Sequence, residues 1–170
     1  MEISAATPED ALAMAKVHVS SWQVACEHIL DPIWLSKLSI EDRATRWQRI
    51  LSGNESTTLV ARRDTNILAF VSFGPCRDEG APPKQGELWA LYAAPECWGQ
   101  GAGFALTTHA LEQLKEAGYL SISLWVLSQN HRGRRFYEAC GFLPVAGSEK
   151  TFELGGKQVQ ELMYLRANDA

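Results

Sequence analysis

The spacing of apolar residues changes along the chain, and each change marks an element. Glu2 to Ala5 reads as a short strand. Thr7-Pro8-Glu9-Asp10 then offers an N-cap, a proline at the first helical position and acids in the first turn. Leu12, Ala15, Val19 and Trp22 recur at helical spacing towards Cys26, predicting a helix with one buried stripe. Asp31-Pro32 breaks the pattern, and Ile40, Ala44, Trp47 and Leu51 mark a second helix. From Ser56 the residues become β-branched and aromatic. Thr57 to Arg62 and Ile67 to Phe73, separated by Asp64-Thr65-Asn66, predict a hairpin. Asp78 to Gln85 is a Gly- and Pro-bearing loop, and Glu87 to Ala94 is an apolar strand suited to burial on both faces. Pro95 ends it. The segment Gly99 to Gly103 opens a helix with the stripe Leu106, Ala110, Leu111 and Leu114, closed by Gly118. Tyr119 to Leu127 is a further strand, and Asn130 caps a short helix to Cys140, stopped by Gly141. Phe142 to Val145 and Gln158 to Leu165 complete the pattern as a last hairpin.

The resulting order is β-α-α-β-β-β-α-β-α-β-β. Glu87 to Leu127 forms a strand-helix-strand unit, and the right-handed crossover rule makes its two strands parallel within an otherwise antiparallel sheet. The fold class is therefore α/β (α+β): a mixed sheet with helices on both faces. At 170 residues, residues 1–170 are expected to form a single domain.

Composition narrows the function classes. Sixteen Lys+Arg against twenty Asp+Glu leave a net charge of −4, so no general basic field attracts nucleic acid or an anionic membrane. The first residues lack a basic region followed by an apolar one, and no uncharged stretch reaches the length of a spanning helix. A soluble, cytoplasmic protein is expected. Cys26, Cys76, Cys97 and Cys140 contain no CxxC, so neither a zinc ribbon nor a redox pair is indicated, and no metal is expected.

Candidate chemistry begins at Trp98-Gly99-Gln100-Gly101-Ala102-Gly103, where a strand meets a helix. Glycines there let a ligand approach the backbone, and the amides of the first helical turn converge with the positive dipole end behind them. This suits a phosphate; the alternative is a tight turn with no ligand. The dinucleotide fingerprint fails, because Phe104 or Leu106 occupies the third glycine position and no acid lies near 120 to 128. The P-loop fails because no lysine occurs between Lys84 and Lys115.

A second block decides between the two readings. Asn130-His131-Arg132-Gly133-Arg134-Arg135-Phe136-Tyr137-Glu138-Ala139-Cys140-Gly141-Phe142 resembles the N-x-x-A-x-x-F-Y-E-x-x-G-F block of the GCN5-related N-acetyltransferases. Trp98 to Gly103 is similar to their acyl-CoA loop, Q/R-x-x-G-x-G/A, and the two blocks stand in the family's order and separation. Trp98 departs from the usual Arg or Gln, and Gly133 from the usual Ala.

The resemblance implies a sheet of six to seven strands flanked by about four helices, its central parallel strands splayed. It implies acetyl-CoA in that gap, the pantetheine arm on the backbone of Leu91, Tyr92 and Ala93 and the pyrophosphate on the amides of Trp98, Gly99, Gln100, Gly101, Ala102 and Gly103. Asn130 is implied as a cap, a pantetheine contact or both. Tyr137 matches the position that protonates the leaving thiolate, and Glu87 that of a carboxylate accepting the amine's proton. Glu27, His28 and Asp31 are weaker candidates at the acceptor. One of Arg132, Arg134 and Arg135 is a candidate for the 3′-phosphate, against a solvated helix face. Trp22, Trp34 and Trp47 either line an acceptor pocket or pack the core. Cys97 and Cys140 lie near the motifs, but no activating neighbour is predicted for either, so direct transfer to a primary amine is expected. The alternative is a non-catalytic acyl-CoA sensor, which needs neither Tyr137 nor Glu87. A homodimer is compatible with the family, and the acidic surplus with a basic acceptor.

Overall fold

A computed structural model describes residues 1–168. Eight strands form one sheet in the order β1-β2-β3-β4-β5-β8-β6, with β7 paired to β8. They are β1 (Glu2–Ala5), β2 (Thr57–Arg63), β3 (Asn66–Pro75), β4 (Gln85–Ala93), β5 (Ser121–Leu127), β6 (Leu143–Pro144), β7 (Lys150–Leu154) and β8 (Lys157–Ala167). The helices are α1 (Ala11–Ala25), α2 (Pro32–Ser36), α3 (Ile40–Ser52), α4 (Ala102–Glu116) and α5 (His131–Ala139). Among the described residues only β4 and β5 pair in parallel, as the crossover rule requires.

One face of the sheet is covered by α4, whose Leu106, Ala110 and Leu114 pack on Ile122, Leu124 and Phe142. The other carries α1 and α3, with Met14, Val17 and Trp47 against Val60, Phe70 and Ala94. Each fully buried leucine in such a layer contributes about 1.5 to 3 kcal/mol relative to exposure. A smaller cluster of Ile29, Leu30, Leu35 and Val159 joins the end of α1 and α2 to β8.

Several expectations are corrected. Thr7 to Asp10 precedes the helix as a 3-10 turn, its Asp10 carboxylate pairing with Arg62 of β2 at 2.6 Å. In α1 Ala15 and Val19 of the expected stripe are buried together with Ala11, Met14, Val17 and His18, whereas Leu12, at the edge of that stripe, is exposed. Asp31 caps α2, a helix where only a break was expected. The predicted partner of β8, Phe142 to Val145, contributes only two strand residues, and β7 supplies the missing edge. The fold class is the expected one, a mixed and mostly antiparallel sheet flanked by helices, with eight strands and five helices beside the expected six to seven and about four.

Candidate active site

The parallel pairing of β4 and β5 covers three register positions, Gln85↔Ser121, Gly86↔Ile122 and Glu87↔Ser123. Beyond Glu87 the strands part. A bulge begins the divergence: Ser72 faces Ala90 and Phe73 faces Leu88, leaving Trp89 as the extra residue of β4. The far side of β4 stays paired to β3 up to Ala69↔Ala93.

Backbone directions in this stretch follow from one bond. Ala94 donates its N–H to the Leu68 carbonyl at 2.8 Å, so alternation turns the backbone of Tyr92 to β3 and those of Leu91 and Ala93 to the open gap. The Ala93 carbonyl accepts from the Trp98 indole Nε1–H at 2.9 Å. Both groups of Leu91 and the Ala93 N–H face the gap.

The glycine turn lies at the gap's far end. Gly99 and Gly101 have φ of 78° and 92°, a left-handed backbone that side chains rarely adopt, and Gly101 is the N-cap of α4. No side chain caps that helix, so the amides of Ala102, Gly103 and Phe104 have no intrahelical acceptor. The amides of Trp98 and Gln100 donate instead to Pro95 and Cys97 carbonyls at 3.2 and 3.3 Å. The expected amide set therefore narrows to Gly99, Gly101 and the first helical turn. Trp98, which departs from the Arg or Gln of the motif it resembles, has the Arg132 guanidinium 4.4 Å over its ring. The pair links the end of β4 to α5 across the gap.

The arginine cluster of α5 divides by role. Arg134 donates to the Tyr164 hydroxyl at 2.9 Å and the Ser128 carbonyl at 3.0 Å, tying α5 to β8 and the preceding turn, and Arg135 is exposed. Asn130 Oδ1 accepts from the Gly133 amide at 3.0 Å. A Cβ at Gly133 would stand 2.6 Å from Asn130 Nδ2, so an alanine here would displace the carboxamide from its present position. Tyr137 packs edge-on to Phe136 and Phe142. Burial, with Tyr92 and Cys140 nearby, raises its phenol above the ordinary value, so its proton is held firmly.

Glu87 lies at the vertex of the gap, 2% exposed, accepting from the Arg77 amide at 2.9 Å and from its guanidinium at 3.2 and 3.0 Å. Arg77 in turn lies 4.4 Å over the Trp89 ring. Register places Glu87, Ser123, Trp125, Glu161 and Met163 on the same face of the sheet. There Trp125 donates Nε1–H to both oxygens of Asp78, at 3.1 and 3.0 Å. Cys76, Asp78 and Glu87 bring potential ligand atoms within 4.8 Å of one another, but Arg77, Trp125, Ser123 and Gln85 already engage them. Glu161 was missed in the sequence. Burial raises its pKa; Lys150 opposes the shift, and Asp78 and Glu87 add to it.

Of the weaker candidates, His28 Nε2 meets the Gln129 carbonyl at 3.2 Å and Asp31 serves as the α2 cap, whereas Glu27 is exposed. Trp47 is core, while Trp22 and Trp34 stand half-buried 6.5 Å apart. Cys97 is buried, and burial raises the Cys140 thiol although Arg166 opposes it, so neither is set up as a nucleophile. Among the described residues, no helix is long and apolar enough to cross a membrane.

Known proteins share this architecture. PaiA N-acetyltransferase of Thermoplasma acidophilum, solved with coenzyme A, superposes with a TM-score of 0.73 at 22% identity over 98% of this chain and 99% of its own. YncA of Salmonella typhimurium, solved with its cofactor acetyl-CoA, gives 0.76 at 18% identity over 100% and 95%. In sequence, the uncharacterized N-acetyltransferase YuaI of Bacillus subtilis strain 168 is 35% identical over 156 residues, 91% of this chain and 86% of its own. Residues 22–142 match the model of the acetyltransferase (GNAT) family, and the chain belongs to that family.

Proposed function

We propose that the protein transfers the acetyl group of acetyl-CoA directly to a primary amine. The observation that carries this reading is the gap between β4 and β5, with unpaired backbone groups at Leu91 and Ala93 along one side and an uncapped helix N-terminus at its end. An extended pantetheine arm pairs with such an edge as an added strand does, and a pyrophosphate suits the amides of Gly99, Gly101, Ala102 and Gly103. Trp98 supports the turn through its bond to Ala93, and Gln100 through its side-chain bond to the Glu96 carbonyl at 3.0 Å. Tyr92 lies between Leu91 and Ala93 with its backbone turned to β3 and its ring stacked on His18, away from the arm. Asn130 fills the cap with Oδ1 and keeps Nδ2 for the arm.

Tyr137 is the proton donor to the departing thiolate. Its firmly held proton stays on oxygen at neutral pH until negative charge develops beside it. Glu87, locked to Arg77, is better suited to holding the vertex than to taking a proton. Glu161 is the proposed base, because among the described residues it is free of such a lock and burial raises its pKa. The sensor alternative leaves both groups without a role.

The test is thiol release from acetyl-CoA against panels of amino acids, polyamines, aminoglycosides and peptide N-termini. Acetylated product in any panel, lost in Tyr137→Phe, is the expected result. Acetyl-CoA binding without acetylation of any amine would favour the sensor.

A further inference from the structure

The face of β4 that carries Tyr92 holds a feature unused by acetyl-CoA. The His18 ring stacks on Tyr92, with centroids 4.3 Å apart and planes at 14°. Trp47 donates its indole N–H to His18 Nδ1 at 3.1 Å, which places the imidazole proton on Nε2. Among the described residues Nε2 has no acceptor, and no fully buried side-chain nitrogen or oxygen is left unpaired, so this N–H reaches open space. Trp22 stands at the Tyr92 hydroxyl, and Trp34 beside Trp22.

Two arginines of α3 bring positive charge to the same place. Arg43 lies one helical turn before the buried Trp47 on α3, hence on the same side of that helix, and is itself half-buried. The two ion pairs among the described residues are Arg62–Asp10 and Arg77–Glu87, so neither Arg43 nor Arg46 has a carboxylate partner. The charges of both reach His18 and the Tyr92 hydroxyl, and that hydroxyl in turn acts on Tyr137. A guanidinium partly removed from water without an ion-pair partner, as that of Arg43 is, is costly, and a bound anion offsets that cost, with the exposed Arg46 adding charge beside it.

We propose that Arg43 and Arg46, with the His18 Nε2–H, bind an anionic group of the acceptor, so that the amine acetylated here belongs to a small molecule carrying a carboxylate or phosphate. Trp22, Trp34 and Tyr92 are the walls for its carbon skeleton. The inference rests on the acetyltransferase reading above and names its substrate class. It reverses what the net charge of −4 suggests, because the local field beside Tyr92 is positive.

The experiment compares matched amines: α-amino acids against their amides and decarboxylated forms, and phosphoethanolamine against ethanolamine. Acetylation and the shift in Tm on ligand addition are both read, with coenzyme A present in the binding arm. The anionic member of each favoured pair should show kcat/KM at least about 10-fold higher, the range for a hydrogen bond to a charged group. Arg43→Gln and Arg46→Gln should each reduce that preference, Arg43→Lys should retain part of it, and Arg49→Gln, on an exposed position of the same helix, should keep it whole. The two anion arms separate carboxylate from phosphate. Equal rates on neutral and anionic amines, or an undiminished preference in Arg43→Gln, would overturn the proposal. If nothing is acetylated but anionic amines still raise Tm in the wild type and not in Arg43→Gln, the anion site stands and the acetyl-transfer reading falls. If they raise Tm in neither, the anion site falls as well.

Discussion

Lowering the pH towards 5 should destabilise this protein through His18 in particular. Burial first, then the charges of Arg43 and Arg46, push its pKa down to about 3 from the ordinary 6.5. Between those values the unfolded chain carries a proton that the folded chain excludes. Stability from this group is therefore complete above about 6.5 and declines as the pH falls towards 3. At pH 5 the loss is about 2 kcal/mol, from about 1.4 kcal/mol for each pH unit. That is a large share of the roughly 5 to 15 kcal/mol that holds a domain together. The assay is urea unfolding at pH 7.5 and pH 5 for the wild type and His18→Gln, which keeps an acceptor for the Trp47 N–H but does not titrate. Other groups titrate equally in both proteins, so the difference between their losses isolates His18. The wild type should lose about 2 kcal/mol more than the variant over this interval. Equal losses would refute the assignment of a neutral, buried imidazole.

Tyr137→Phe keeps the ring between Phe136 and Phe142, so it should fold normally and bind acetyl-CoA while its transfer step slows by about 10²- to 10⁴-fold. Unchanged single-turnover rates would remove the phenol from the reaction. Glu87→Gln should cost about 1 to 3 kcal/mol in chemical denaturation by weakening the Arg77 pairing, yet leave the acid limb of the kcat/KM profile in place. Glu161→Gln should do the reverse, and loss of the limb in Glu87→Gln alone would restore Glu87 as the base. Gly133→Ala gains about 1 kcal/mol of helix propensity but expels the Asn130 carboxamide from its cap, a loss of similar size. Thermal unfolding should show the two nearly cancelling; the full gain would mean that Asn130 contributes nothing as a cap.

The sequence made the strands of the hairpin and of the β4-α4-β5 unit readable, because their apolar residues are buried on a fixed period and glycine or proline stands at their ends. It was silent on β7, whose Lys150, Thr151 and Glu153 are exposed on an edge and carry little hydrophobic signal. Leu12 misled because the buried arc of α1 centres on Met14 and His18, which leaves Leu12 at its edge in the first turn. The gap was readable only through resemblance, since where two strands part depends on a bulge at Trp89. Glu161, Arg43 and His18 were missed for a common reason. Each is a polar residue within an ordinary amphipathic element, and its character comes from neighbours distant in the chain. A histidine on the buried side of α1 was the one local signal available.

The short seam between β4 and β5 also bears on the protein's stability. With three register positions joining them, the strands before and after the gap are two leaves hinged at Glu87 and held at the far end by Trp98 and Arg132. A pantetheine arm laid between the leaves, as proposed, serves as a removable strand of the sheet. A ligand at 100 times its dissociation constant adds about 2.7 kcal/mol to folding. Any ligand with this arm, CoA as well as acetyl-CoA, would then stabilise the two leaves together, because it meets the one side of β4 that β3 leaves unpaired.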